Sequence, residues 1–219
     1  VNKGTLSYVQ VEDAASGAGS EVTTNTMDSA DTLTVYAAGY DASGNYLADQ
    51  SVTWSGTGVV SGNLSPATGT STVFTADDAG TGTISADHAT ATDDTTGTIT
   101  VNAILPTLTT TTASSITTAT ASSGGEITSD GGSSITARGV CWGTSENPTV
   151  SGSHTTNGTG DGTFTSSLTG LTEDTLYYYR AYATNDAGTA YGDELSFSTE
   201  DPPTVSTSAG RRRTTSRTD

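Results

Sequence analysis

The sequence predicts an all-β protein: two tandem antiparallel β-sandwiches with an extra strand near the C-terminal end. Three observations point there. Apolar residues alternate with polar ones in runs of four to six, each bounded by Gly, Asp, Asn or Ser, which is the pattern of short half-buried strands. Of the 219 residues, 48 are Thr, 28 are Ser and 26 are Gly. Thr and Gly are poor helix formers, while Thr favours strands, so the composition argues against a helical bundle or a helix-rich α/β enzyme. The single cysteine, Cys141, rules out an intrachain disulfide, leaving core packing and sheet hydrogen bonds to hold the fold.

The strands follow in order. In the first half they are Leu6 to Val11, Leu33 to Ala37, Val52-Thr53-Trp54, Thr72 to Thr75, Gly82 to Ala86 and Gly97 to Val101. Asp41-Ala42-Ser43-Gly44-Asn45 and Asp77-Asp78-Ala79-Gly80 supply turn chemistry between them. Alternation stops at Val101, and Pro106 opens a new polar strand, Thr107 to Thr110. Ile135 to Trp142, Gly162 to Leu168, Leu176 to Ala183 and Glu194 to Thr199 complete the second half, and Pro202-Pro203 marks another linker. The reading is therefore a sandwich over 1–103, a second over 104–199, and a linker, orphan strand and basic tail over 200–219. Pro203-Thr204-Val205-Ser206-Thr207 repeats the grammar of Pro106-Thr107-Leu108-Thr109-Thr110, so the tail reads as the first strand of a further domain.

Charge narrows the partners. The chain carries 24 Asp+Glu against 7 Lys+Arg, a net charge of −17. Residues 1–103 hold 12 acidic and 1 basic side chain, residues 104–199 hold 9 and 2, and residues 200–219 hold 3 and 4. A field this acidic repels phosphate backbones, which argues against nucleic acid. No run of 18 apolar residues exists to span a membrane. The start at Val1, with no initiator Met, reads as a processed form compatible with secretion.

Two resemblances rest on particular stretches. Leu33 to Tyr40, the turn Asp41 to Asn45, Val52-Thr53-Trp54, Thr72 to Ala76 and Gly82 to Ala86 make residues 1–103 resemble a bacterial immunoglobulin-like domain of the invasin or intimin type. Ala137 to Trp142, Glu146-Asn147-Pro148-Thr149, Gly158 to Phe164, Leu168 to Leu171 and Tyr177 to Gly188 make residues 104–199 resemble a fibronectin type III-like module of secreted bacterial proteins. The resemblance implies an extracellular or cell-surface location. It implies that Tyr177 is a tyrosine-corner residue bonding back to local backbone. It places Tyr179, Ala181 and Ala183 toward the core and Tyr178, Arg180 and Tyr182 outward. Trp54 becomes the buried tryptophan of the first sandwich.

Little reactive chemistry stands out. His88 and His154 lie in different halves beside turn residues, and no Gly-x-Ser-x-Gly elbow accompanies them. Cys141, inside a strand, reads as a small buried hydrophobe. No cofactor is expected; calcium is the one metal considered, with Asp41, Asp77 and Asp78 as ligand candidates among abundant turn aspartates. Lys3, on the first strand, is placed where Lys–Asn/Asp isopeptide bonds begin in some surface adhesins. Glycan acceptors are the sequon residues Asn63 and Asn157, and the Asp-hydroxyl-apolar hydroxyls of Ser29, Thr32, Thr95 and Thr175.

Three function classes follow. The leading one is a non-enzymatic extracellular structural module, a surface or fibre element that self-associates or stacks on neighbouring domains of the same protein. Its assembly residues would be Thr204, Val205, Ser206 and Thr207, adding to a sheet edge of another copy, and Arg211, Arg212 and Arg213, meeting an acidic face. The alternative is a carbohydrate- or ligand-binding adhesion module using the outward aromatics Tyr178 and Tyr182. A small hydrolase comes last.

Overall fold

The computed structural model describes residues 3–202. The assembly candidates Thr204, Val205, Ser206, Thr207, Arg211, Arg212 and Arg213 lie outside the described residues. The first half contains β1 (Leu6–Glu12), β2 (Asn25–Asp28), β3 (Thr32–Asp41), β4 (Tyr46–Asp49), β5 (Val52–Gly56), β6 (Leu64–Ser65), β7 (Thr68–Gly69), β8 (Ser71–Thr75), β9 (Gly80–Gly82), β10 (Ile84–Asp87), β11 (Asp94–Thr95) and β12 (Ile99–Asn102). The second contains β13 (Thr107–Ser114), β14 (Thr120–Ser129), β15 (Ala137–Gly143), β16 (Ser153–His154), β17 (Gly162–Thr169), β18 (Leu176–Asn185), β19 (Gly188–Tyr191) and β20 (Leu195–Ser198). The described residues thus form an all-β structure in which the one helical element is a 3-10 turn, Gly58–Val60.

In the first half, one sheet runs β1-β3-β8-β6 with β4 added on β3, a second runs β11-β10-β5-β7, and a third runs β2-β12-β9. Alternation does the burying: Val9 and Val11 of β1 and Val35 and Ala37 of β3 turn inward to meet Trp54, Phe74, Ile84 and Ile99 in one core. Trp54 is buried as expected, and its indole N–H donates to the Gly69 carbonyl at 3.2 Å. In the second half, β13-β14-β17 packs against a sheet ordered β16-β15-β18-β19, with β20 also on β18. Val140, Phe164, Leu168, Tyr179, Ala181 and Phe197 fill a separate core between these two sheets.

Three local departures from the sequence reading have physical causes. The run Gly82 to Ala86 is two strands in two sheets: β9 pairs with β12 and β10 pairs with β5. The switch falls at Gly82, where a Cβ would sit 2.2 Å from the Thr57 carbonyl oxygen, so only glycine lets the chain pass. Strand β14 was hidden because Thr-Ala-Ser-Ser-Gly-Gly reads as loop. It is the central strand of its sheet, with Gly124 pressed against the Phe164 carbonyl and Gly125 against Thr109 and Ala181. Finally, β2 and β12 pair in parallel, which no local pattern signals.

Candidate functional site

Cys141, Arg180 and Tyr182 share the outer side of the β15–β18 sheet, opposite the core residues Val140, Ala181 and Ala183. Residues 144–152 leave β15, cross that face, and return as β16 along the β15 edge. Arg180 of β18 holds the crossing. Its Nε donates to the Pro148 carbonyl at 2.7 Å and Nη2 to Asn147 at 3.4 Å, while the guanidinium stacks 4.1 Å from the Tyr191 ring centroid. Cys141 lies fully buried beneath, its Sγ–H directed at the Pro148 and Arg180 carbonyls at 3.2 and 3.4 Å. Burial pushes its thiol above the ordinary value, opposed in part by the Arg180 charge. Arg138 lies on the opposite face of β15, in register with the core residue Ala183 and 5.4 Å from the Phe164 ring centroid, and holds the later segment that leads to β17: Nε donates to Asn157 O at 3.2 Å, and Nη1 to Gly160 O and Asp161 O at 2.8 and 2.7 Å.

This geometry corrects one ligand-binding expectation. Tyr182 faces the outer side of the sheet but is only 3% exposed, because its hydroxyl donates to Thr155 O at 2.7 Å under the returning segment. Tyr178 remains half-buried and lines a groove of about 350 Å³ with Thr112, Tyr179, Glu194, Leu195 and Ser196. Glu194 accepts the Asn147 N–H, which ties the groove to the crossing segment. Tyr177 does bond back locally: its hydroxyl accepts from the Thr172 N–H at 3.0 Å.

The first half carries a row of tyrosines on the outer face of β1, β3 and β4. Tyr8 stacks on Tyr40 at 5.4 Å, Tyr46 meets Tyr40 edge-on at 5.9 Å, and the Lys3 ammonium lies 5.9 Å from the Tyr46 ring centroid. Behind Tyr40 sits Glu12, 1% exposed, which accepts the Tyr40 hydroxyl through Oε1 and leaves Oε2 without a partner. Burial first, then this bond, raises the Tyr40 hydroxyl above its ordinary value. Sequence reasoning missed Glu12 because an acidic residue on an alternating strand reads as solvated.

Asp41, one of the calcium candidates, is surrounded by N–H donors. Its carboxylate accepts the backbone N–H groups of Gly4, Ser43 and Asn45 at 2.8, 2.9 and 3.0 Å, and the Asn45 amide at 3.0 and 3.1 Å. A shell of N–H donors stabilises the bare carboxylate as an anion. The Gly4 N–H and then the Asn45 amide hold this carboxyl far below the usual carboxylate range. A depressed folded value means the contribution is full above the unfolded value of about 3.9 and disappears as pH falls toward the folded one. Asp41→Asn is therefore expected to melt lower than wild type at pH 7 and to show a flatter fall in midpoint between pH 5 and pH 2. Chelation of divalent ions should leave the wild-type midpoint unchanged; a chelator-induced drop would show that calcium binds after all.

The remaining candidates are scattered. Asp77 and Asp78 are exposed, and no group of three or more His, Cys, Asp or Glu side chains able to hold a metal occurs among the described residues. His88 Nδ1 accepts the Thr90 and Ala91 N–H groups at 3.2 and 3.1 Å, while His154 Nδ1 lies 2.9 Å from Gly152 O. Of the glycan acceptors, Thr32 and Thr95 are exposed and Asn63 and Thr175 half-buried. Ser29 is buried, its hydroxyl donating to Asp77 O at 2.9 Å. Asn157 is engaged at both ends of its amide: Nδ2 donates to Thr165 O at 2.7 Å, and Oδ1 accepts the Thr155 and Ser166 hydroxyls at 2.8 and 2.6 Å. A glycan on Nδ2 would have to displace the bond to Thr165 O.

No protein-family model and no curated protein matches this chain. Solved structures do. The Escherichia coli adhesin FdeC shares 16% identity over 90% of this chain and 66% of that one, with a TM-score of 0.40. Titin domains A168-A170 share 18% over 90% and 68%, with a TM-score of 0.37. The sixth fibronectin type III domain of human fibronectin type III domain containing protein 3 shares 20% over 48% and 95%, also with a TM-score of 0.37. At these identities the likeness is one of fold alone.

Proposed function

We propose that the chain is a non-enzymatic structural or adhesion module of the cell exterior, built from bacterial immunoglobulin-like and fibronectin type III-like units with boundaries near residues 103 and 199. The observation that carries this reading is where the chemically capable side chains are engaged. Arg138, Arg180 and Asn157 donate to backbone carbonyls, and Asp41 and His88 accept backbone N–H groups, so their chemistry holds loops and turns in place. The finer part of the proposal is head-to-tail self-association. It is supported by the contrast between the acidic residues 1–199 and the basic Arg211, Arg212, Arg213 and Arg217. In it, Thr204 to Thr207 of one copy add to a sheet edge of the next. Light scattering on the full chain and on one cut after Thr199 tests this: a heavier species for the full chain alone is expected, and equal monomeric masses would overturn self-association. The alternative reading, ligand capture, is favoured by the Tyr178 groove, which offers a half-buried aromatic face beside a carboxylate suited to a hydroxylated ligand.

A further inference from the structure

We infer that the two sandwiches are locked into one rigid unit by a pinned linker and a glycine-lined contact, with Ala103 as the one unpinned residue between them. This goes beyond the proposed function, since either a spacer or a binding module could be jointed or stiff. Relative motion is the default for tandem domains joined by a small interface, so rigidity needs a specific cause.

The cause is a continuous set of hydrogen bonds through the junction. On the first-half side, β12 ends at Asn102, paired in register with Asp28 of β2, and the Asn102 carbonyl accepts the Ser29 N–H at 2.9 Å. On the second-half side, the Ile104 N–H donates to Gly131 O at 2.9 Å. The Ile104 carbonyl accepts from Asn185 Nδ2 at 2.7 Å, and the same amide donates to Asp130 O at 2.7 Å. Asn185 is 5% exposed and fully satisfied, because its Oδ1 accepts the Ala187 and Gly188 N–H groups at 2.9 and 3.2 Å. Both chain ends of the junction are thus anchored to strands of their own half. What lies between them is Ala103, with one pair of soft dihedrals.

A second contact closes the ring. The Ala79 N–H, in the loop after β8, donates to Gly132 O at 2.8 Å. The neighbouring Ser29 hydroxyl holds that loop by donating to Asp77 O at 2.9 Å. Gly131 and Gly132 take φ values of +72° and +81°, which only glycine adopts readily. Space forbids a side chain as well: a Cβ on Gly131 would lie 2.1 Å from Ile104 O, and one on Gly132 would lie 2.6 Å from Ser29 Oγ and 2.8 Å from Asp77 O. The glycine pair therefore lets the two halves approach closely enough for the Ala79–Gly132 bond to form. With two points of attachment and one free residue, rotation about Ala103 must break that bond.

Amide nitrogen relaxation by NMR on the full chain tests the lock. Amides of β1 to β12 and of β13 to β20 are expected to fit a single anisotropic tumbling tensor. Two variants should split it into two, with shorter local correlation times in each half: Gly132→Val, which clashes at the contact, and a Gly-Ser-Gly insertion after Ala103, which slackens the linker without touching either core. Strand amide shifts within each half should stay at wild-type positions in the insertion variant, so its result stands even where the valine variant folds poorly. A wild-type chain that already needs two tensors, or an insertion variant that still fits one, would overturn the inference.

Discussion

Replacing Trp54 by Ala is expected to destabilise the first half by about 3–5 kcal/mol, the range for deleting a buried large aromatic. Trp54 is 4% exposed and sits among Val9, Val11, Val35, Phe74, Ile84 and Ile99. The loss combines its apolar area, the cavity left behind and the indole bond to Gly69 O. No residue of this cluster belongs to the core of the second half, so the two should respond separately. Denaturant unfolding followed by hydrogen exchange would show protection falling in β3, β5 and β8 while β15 and β18 keep theirs. Equal loss in both halves would mean that the junction couples them energetically as well as geometrically, and loss confined to the second half would contradict the placement of Trp54.

Arg180→Met should open the outer face of the second sheet by about 2 kcal/mol, since hydrogen bonds to a charged donor contribute about 1.5–3 kcal/mol and the methionine keeps part of the packing. The readout is built in. Cys141 is the one thiol of the chain and is buried beneath the segment that Arg180 holds. Thiol labelling of the native protein should be slow in wild type and faster by roughly 30-fold in the variant, the ratio that about 2 kcal/mol of local opening corresponds to. Unchanged labelling would mean that residues 144–152 hold their place without the guanidinium.

Much of this architecture was legible in the sequence where a local pattern coincides with burial. Val9 and Val11, Val35 and Ala37, and Tyr179, Ala181 and Ala183 alternate inward because one face of each strand meets a core. What stayed hidden depends on partners distant in sequence. Gly124 and Gly125 mark a central strand because Phe164, Thr109 and Ala181 crowd them, and that crowding has no local signature. Tyr182 obeys the outward alternation yet is covered, because a segment about thirty residues earlier lies over it. The candidate site was legible only as an absence of catalytic motifs. Its working parts, Arg138 and Arg180, were visible as the two arginines within strands of an acidic chain, but the carbonyls they hold come from the intervening loop.

Those two arginines also bear on how the molecule meets its medium. Each aims its guanidinium at backbone carbonyls, so the attraction is between a charge and neighbouring dipoles at under 3 Å in its shortest contacts. Dissolved salt screens exposed ion pairs over several ångströms but has little purchase on contacts this short, least of all on the part-buried Arg180–Pro148 bond. The same salt relaxes the mutual repulsion of a chain carrying −17. High ionic strength therefore leaves Arg180's hold on the crossing segment intact while easing the repulsion of the acidic surface, and Cys141 should stay as well protected in brine as in dilute buffer.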